Sequence, residues 1–290
     1  MIPEHDSFRR FLFEEAGVRG ELVRLDASWQ AVLERHPYPD SVLVQLGQAL
    51  AAAVLLSATI KLKGSLILQA QGAGPLHTLV AQATERRTIR GLARWKEAPP
   101  ASADLAAVFG AGHLALTIQN EGSEPYQGIV GLEGRNLAEA IQNYFLRSEQ
   151  LATRIWLAAD AERAVGLFIQ EMPAQHGEQQ DWERLALLAD TVTSRELLWL
   201  PAEKLLYRLF HEERVRMFEP ETVSFQCNCS RERIGTVLRS LGRQEIAGLI
   251  RQSGRVEVGC EFCNHRYRFD SIDVESLFTE GVFPPAALRQ

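Results

Sequence analysis

The sequence predicts an α+β protein: an N-terminal body with a largely antiparallel sheet around a central buried helix, then a helical linker, then a small C-terminal module. Three observations predict it. Strand-like runs outnumber helical ones and do not alternate strictly with them, which points away from a parallel βαβ architecture. One helical stretch, Leu50-Ala51-Ala52-Ala53-Val54-Leu55-Leu56, is apolar nearly all round and needs cover on every side. All four cysteines of the chain fall in its last quarter.

At 290 residues, 46% hydrophobic and 23% charged, the chain has an ordinary globular makeup and room for one large domain or two unequal ones. A net charge of −6 argues against a general nucleic-acid or membrane-surface binder. Met1-Ile2-Pro3-Glu4-His5-Asp6 is acidic and lacks the apolar core of a secretory leader. The expected location is cytoplasmic, where close thiols stay reduced and serve as ligands or redox sensors.

The body is expected over residues 1–175. Ser7 to Phe13 and Val18 to Leu25 read as two strands joined through Ala16-Gly17. Helical patterning follows from Asp26 to His36 and breaks at Pro37-Tyr38-Pro39; Asp40 or Ser41 then caps a helix from Val42 to Ile60. Gln45, Gln48 and Ser57 interrupt this run, which favours a core helix over a membrane span. Strand-like runs follow at 65–70, 76–81 and 88–95, with Gly72-Ala73-Gly74-Pro75 as a turn. Pro99-Pro100 marks a surface loop. Strands at 113–118 and 126–132 flank a polar turn, a helix runs from Leu137 to about Leu151, and strands at 153–158 and 165–169 close the body at Met172-Pro173.

Enzymatic furniture is missing. The sequence has neither G-x-G-x-x-G nor G-x-x-x-x-G-K-[ST], and no G-x-S-x-G or H-E-x-x-H. His77 and His113 sit inside strand patterns and read as ordinary satisfied side chains; Glu133 and Glu139 have no telling spacing. No enzyme is expected.

The linker is expected over residues 176–223. Trp182, Leu185, Ala189 and Val192 form one apolar stripe, and a second helix from Pro201 carries Leu205, Leu206, Leu209 and Phe210 on one side. Between them Leu197-Leu198-Trp199-Leu200 looks exposed unless something covers it. Such a segment must dock on the body, the tail or a partner.

The tail, residues 224–290, opens with the strand Val223-Ser224-Phe225. It holds Cys227-Asn228-Cys229 and, about thirty residues on, Cys260-Glu261-Phe262-Cys263. Two close thiol pairs around a structured interval are what a tetrahedral metal site needs, so Cys227, Cys229, Cys260 and Cys263 are the expected ligands of one Zn²⁺. Helices are expected at 231–240 and 244–250. A hairpin, 255–258 with 267–269, carries the second pair at its turn, and a last helix runs from Ser271 to Phe278. So small a core supplies roughly 3–5 kcal/mol unaided, against roughly 10–16 kcal/mol of apparent binding energy for structural zinc. The tail should fold with its metal and not without it.

Three other readings of these residues are open at this point. Eight arginines between Ser230 and Phe269 suit a zinc-ribbon nucleic-acid module. A thiol oxidoreductase using Cys260-x-x-Cys263 is disfavoured by its strand-like flanks. An iron–sulfur cluster would use the same thiols, and His265 is a substitute ligand.

The tail motifs, with Tyr207-Arg208-Leu209-Phe210-His211-Glu212-Glu213, Phe218-Glu219-Pro220, Tyr126-Gln127-Gly128-Ile129-Val130 and Ser148-Glu149-Gln150, resemble the heat shock protein 33 family over essentially the whole chain. The resemblance implies a redox-regulated, ATP-independent holdase, inactive when reduced and zinc-bound. It implies that oxidation pairs Cys227 with Cys229 and Cys260 with Cys263, releases zinc, and, with mild unfolding stress, activates binding of unfolded or oxidatively damaged client proteins. The active form is implied to be a homodimer, without membrane or nucleic acid. On this reading, loss of the tail's fold uncovers Trp182, Leu188, Leu197, Leu198, Trp199, Leu205, Leu209 and Phe210 as client-binding side chains.

Overall fold

The stretch that is apolar all round forms a twenty-residue helix, Asp40–Thr59, in the computed structural model, which describes residues 5–60, 62–100, 104–172 and 179–279. Its length and hydropathy are those of a membrane span, yet 72% of its most apolar window is buried inside the protein. It lies between two sheets, against strands of both. Two compact units make up the chain, Met1–Gln226 and Cys227–Gln290.

In the first unit the strands run β1 (Ser7–Phe13), β2 (Val18–Leu25), β3 (Gly64–Gly72), β4 (Leu76–Thr84), β5 (Thr88–Trp95), β6 (Gly112–Asn120), β7 (Tyr126–Gly131), β8 (Thr153–Ala159) and β9 (Ala164–Glu171). Three short ones follow, β10 (Val215–Met217), β11 (Glu221–Thr222) and β12 (Ser224–Phe225). One sheet has the order β10-β1-β2-β9-β8, with β11 also on β1; the other is β12-β5-β4-β3-β6-β7. Every pairing is antiparallel except β12 with β5.

The helices of this unit are α1 (Ala27–Leu33), α2 (Asp40–Thr59), α3 (Leu105–Phe109), α4 (Leu137–Tyr144), α5 (Gln179–Ala189), α6 (Ser194–Trp199) and α7 (Ala202–Phe210). Pro39 precedes α2 in extended geometry and helps set its start. The sheet alternation then sorts side chains to two cores. Phe8, Val23, Leu25 and Phe168 face α2, as do Leu66, Leu68, Leu79 and Leu116 from the other sheet. Phe11, Phe13, Val18, Leu22, Leu167 and Ile169 point the opposite way and are covered by α5, α6 and α7. Gly20 makes room for the Phe11 ring: a Cβ there would lie 2.0 Å from Phe11 Cζ.

Several boundaries differ from expectation. The helix expected from Leu137 to about Leu151 is α4 followed by a π-helical turn, Phe145–Glu149, ended by Gln150 in the left-handed region (φ 55°). The wider turn accompanies the turning inward of Phe145, whose ring meets Phe168 at 6.1 Å between centroids. Leu197-Leu198-Trp199-Leu200 is not an open run: it belongs to α6, started by a Thr193/Glu196 capping box, with Leu197 and Leu198 buried. Helix α3 and strands β10 and β11 are additional, too short to show a period. The expectations for residues 173–178 and 280–290 lie outside the described residues.

The α2-facing side of the first sheet contains one costly group. Glu21, on β2 opposite Arg10, is buried, and its Oε2 has no hydrogen-bond partner. Burial raises its pKa to about 7 against the pull of Arg19, Arg10 and Arg87, with Glu221 adding to the rise. A carboxyl whose folded pKa exceeds its unfolded one binds its proton more tightly when folded. Its stabilising contribution is therefore full below about 4.5 and is lost as pH rises through about 7. The loss should amount to about 3 kcal/mol. In urea unfolding followed by tryptophan emission, Glu21→Gln should lack this part of the decline between pH 5 and 8. Identical slopes for the two proteins would refute it.

Candidate metal centre

The second unit is small. Helices α8 (Arg231–Leu241), α9 (Arg243–Ser253) and α10 (Ser271–Thr279) surround a two-stranded hairpin of β13 (Val256–Gly259) and β14 (Arg266–Phe269). Its buried core is Leu238, Ile246, Val256, Phe269 and Val274. Arg231 ties three pieces together: it donates to the Arg268 carbonyl (2.7 Å), pairs with Asp273 (2.7 Å) and lies 4.3 Å over the Phe269 ring.

Each cysteine pair is aimed by its local backbone. Cys227 and Cys229 precede α8, whose first turn is capped by Ser230 accepting from the Arg233 N–H. The Arg233 side chain in turn donates to the Asn228 carbonyl at 2.7 Å. Cys260 and Cys263 sit on the hairpin turn. The Asn264 N–H donates to the Cys260 carbonyl (2.7 Å) and the Cys260 N–H to the His265 carbonyl (2.9 Å). Closing that turn requires φ of 58° at Asn264, a conformation asparagine tolerates better than most residues.

The four sulfurs converge. Cys227 Sγ lies 3.6 Å from Cys260 Sγ, Cys229 Sγ lies 3.4 Å from Cys263 Sγ, and all four are within 4.8 Å of one another. A tetrahedral ion with Zn–S bonds of about 2.3 Å needs sulfurs about 3.8 Å apart, so the spacing fits. All four cysteines are free thiols in this geometry. Burial pushes the Cys263 thiol far above its ordinary range, opposed by a backbone hydrogen bond from His265 and aided by hydrogen bonding with the neighbouring thiols. Four sulfurs this close together call for a cation if all are to be thiolates. The Tyr267 hydroxyl donates to Cys229 Sγ at 3.2 Å, and this bond, first among the causes, pushes the phenol's pKa up to about 12. Tyr267 stands in a sequence motif, but only the fold shows its hydroxyl at a sulfur.

The basic surface that suggested nucleic acid is largely engaged within the protein. Arg231, Arg243, Arg266 and Arg268 pair with Asp273, Glu275 and Glu257, while Arg233 and Arg239 donate to Asn228 and Thr236.

The other expected residues lie in the first unit. Leu197, Leu198, Leu205, Leu209 and Phe210 are buried on the outer face of the first sheet, and Trp182 and Leu188 are half-buried at its margin. Trp199 stands apart, 47% exposed, with the Arg163 guanidinium 4.1 Å over its ring. Two arginines not singled out by sequence hold this segment. Buried Arg24 donates to the Leu198 carbonyl (2.7 Å) and the Leu200 carbonyl (3.1 Å), and Arg163 reaches the Leu198 carbonyl at 3.5 Å.

Known proteins match this arrangement along nearly its whole length. The family model described as Hsp33 protein matches residues 6–270. The 33 kDa chaperonin of Nitrosococcus oceani is 64% identical over 280 residues, 97% of this chain and 96% of the relative. That of Chromobacterium violaceum is 46% identical over 285 residues, 97% of each chain. Among solved structures, the 33 kDa chaperonin (heat shock protein 33 homolog) of Thermotoga maritima superposes with a TM-score of 0.83 at 27% identity, covering 96% of this chain and 99% of that one.

Among its described residues the second unit buries a core of five apolar side chains, so its fold is expected to depend on what its sulfurs hold. Stripping metal from the reduced protein should abolish amide-exchange protection across α8–α10 while leaving β2, β3 and β9 protected. Cys227→Ser should lower metal affinity and have the same effect; full metal occupancy and intact protection in that variant would contradict it.

Proposed function

The chain belongs to the Hsp33 family, and from that membership we propose that it is a redox-regulated, ATP-independent holdase whose switch is the four-sulfur cluster of Cys227, Cys229, Cys260 and Cys263. The observation that carries this is the convergence of all four sulfurs within 4.8 Å inside a unit with so small a core. In the reduced state these residues would hold one Zn²⁺, which when bound would offset half of the thiolate charge and cross-link the loop before α8 to the hairpin turn. In the oxidised state Cys227 pairs with Cys229 and Cys260 with Cys263. Each disulfide forms in two steps that deliver two electrons to a peroxide-class oxidant. A thiolate attacks the peroxide, giving sulfenic acid and hydroxide; its partner thiolate then forms the S–S bond and expels a second hydroxide. The paired sulfurs no longer serve as ligands and the unit loses its fold.

The client surface in this proposal is the segment from Trp182 to Phe210. In the resting protein its apolar residues Leu197, Leu198, Leu205, Leu209 and Phe210 are covered by the first sheet, which suits an inactive state. The partners are unfolding or oxidatively damaged proteins, held as extended apolar segments by a homodimer in the cytoplasm. Nucleic acid and membrane have no part in it, and the work is holding, without turnover.

Comparing reduced and peroxide-treated protein in suppressing the aggregation of a heat-denaturing client, with zinc release followed in parallel, tests the reading. Protection should rise with zinc release and fall again on reduction with thiol. Equal protection in both thiol states, with zinc retained, would end it. The docking of α6 offers a second test: Arg24→Met, which removes the bonds to the Leu198 and Leu200 carbonyls, should give partial protection by the reduced, zinc-loaded protein. Silence of that variant at every temperature below its unfolding would count against α6 and α7 as the client surface.

A further inference from the structure

Close to the four sulfurs stands the side chain of Tyr267, which brings a hydroxyl rather than a thiol. Tyr267 lies on β14 opposite Val258, packed at the margin of the Leu238–Phe269 core. Its ring is braced by His265, with centroids 4.6 Å apart and planes at 69°. Its hydroxyl ends 3.2 Å from Cys229 Sγ. The hairpin carrying the second cysteine pair thus sends a hydrogen-bond donor across to a sulfur of the first pair. The donor at Cys263 differs in kind: it is the His265 backbone N–H, which no side-chain substitution removes.

A hydrogen bond to a metal-bound thiolate has two effects. It fixes the sulfur in position, and outer-shell partners of this sort are worth about 10- to 100-fold in metal affinity. It also draws charge from the sulfur and weakens it as a nucleophile, on which attack on a peroxide depends.

We propose that Tyr267 is a positioning residue of the metal centre, its hydroxyl holding Cys229 in place and slowing oxidation at that sulfur. This rests on the reading of the four sulfurs as a zinc site. In the reaction it retards, the Cys229 thiolate gives two electrons to a peroxide and becomes a sulfenic acid, with hydroxide released. The Cys227 thiolate then forms the S–S bond and expels a second hydroxide. The phenol keeps its proton throughout.

The test compares full-length wild type with Tyr267→Phe, which retains the ring and loses only the donor. Chelator competition on the reduced proteins reads zinc affinity. A hydrogen peroxide time course, quenched by differential alkylation and read by mass spectrometry at Cys229 and Cys263 separately, gives the oxidation rates, with Cys263 as the internal reference. Tyr267→Phe should bind zinc about ten-fold more weakly and oxidise faster at Cys229 relative to Cys263. Incorporating 3-fluorotyrosine at position 267, a stronger donor of nearly the same size, should shift the relative rate at Cys229 the opposite way. That arm decides the matter even where the phenylalanine variant folds poorly, because a purely structural role gives no such reversal. One zinc bound to each protein, with unchanged affinities and an unchanged ratio of rates, overturns the role of Tyr267 and leaves the metal-centre reading intact. A wild type that binds no zinc overturns both.

Discussion

Four sulfurs confined so that no two are more than 4.8 Å apart cannot all be charged unless a cation stands among them. Two bare thiolates at 3.6 Å repel by about 4–5 kcal/mol even at an effective dielectric constant of about 20, and four make six such pairs. Burial and the neighbouring sulfurs push the Cys263 thiol well above its ordinary range. With a divalent ion the sign of the energy reverses. The second unit is built around that condition: Arg231 staples α8 to the hairpin and α10, Ser230 starts α8 directly behind Cys229, and Asn264 bends the turn. Each of these contacts is modest and mostly exposed, worth roughly a kcal/mol or less. A unit whose packing is this thin and whose centre is this demanding responds to what happens at the sulfurs.

The segment proposed to hold clients obeys a different balance. Helix α7 alone buries Leu205, Leu206, Leu209 and Phe210 against the first sheet. At roughly 1.5–3 kcal/mol for each buried side chain, lifting it off costs on the order of 6–12 kcal/mol, comparable with the whole stability of an ordinary domain. Losing the fold of the second unit cannot by itself supply that much. Heat or another unfolding stress has to lower the barrier, or a bound client has to replace the lost cover. The two conditions that the Hsp33 resemblance implies fit these numbers: in the proposed function oxidation would remove the clamp and stress would release the surface. Trp199, already 47% exposed with Arg163 over its ring, is where that release would begin.

The strands, the core helix and the four-cysteine cluster were legible because each carries a strong local signal. Alternation marks β1 and β2, an unbroken apolar run marks α2, and Cys227-x-Cys229 with Cys260-x-x-Cys263 names four donors. Features made by tertiary contact were not. Residues 215–217 form a strand only because β1 has an open edge to receive them. The π-helical turn at Phe145–Glu149 answers to packing against Phe168, which no helical period encodes. Arg24, read in sequence as one more strand residue, is buried beneath α6 because the carbonyls of Leu198 and Leu200 need a donor there. The same holds for Tyr267, four residues beyond the last cysteine, whose hydroxyl meets a sulfur some forty residues upstream only when the hairpin closes.

The choice of disulfide partners decides which way such a switch works. The shortest sulfur–sulfur distances run between the pairs, Cys227 to Cys260 and Cys229 to Cys263. A bridge along either line would close a loop of more than thirty residues and stabilise the folded unit by about 4 kcal/mol through the entropy it removes from the unfolded chain. It would also lock the loop before α8 to the hairpin turn, much as the metal does. Bridges within the pairs close loops of three or four residues, constrain the unfolded chain by under about 2 kcal/mol each, and leave the hairpin free of the loop. In the proposed function oxidation would replace a metal clamp worth roughly 10–16 kcal/mol with local links that do not span the fold. The within-pair connectivity that the Hsp33 resemblance implies would turn oxidation into unfolding, and the proposed function then needs sulfurs that sit closest to one partner to end bonded to another. That exchange is available to a cluster in which every sulfur is within 4.8 Å of the rest.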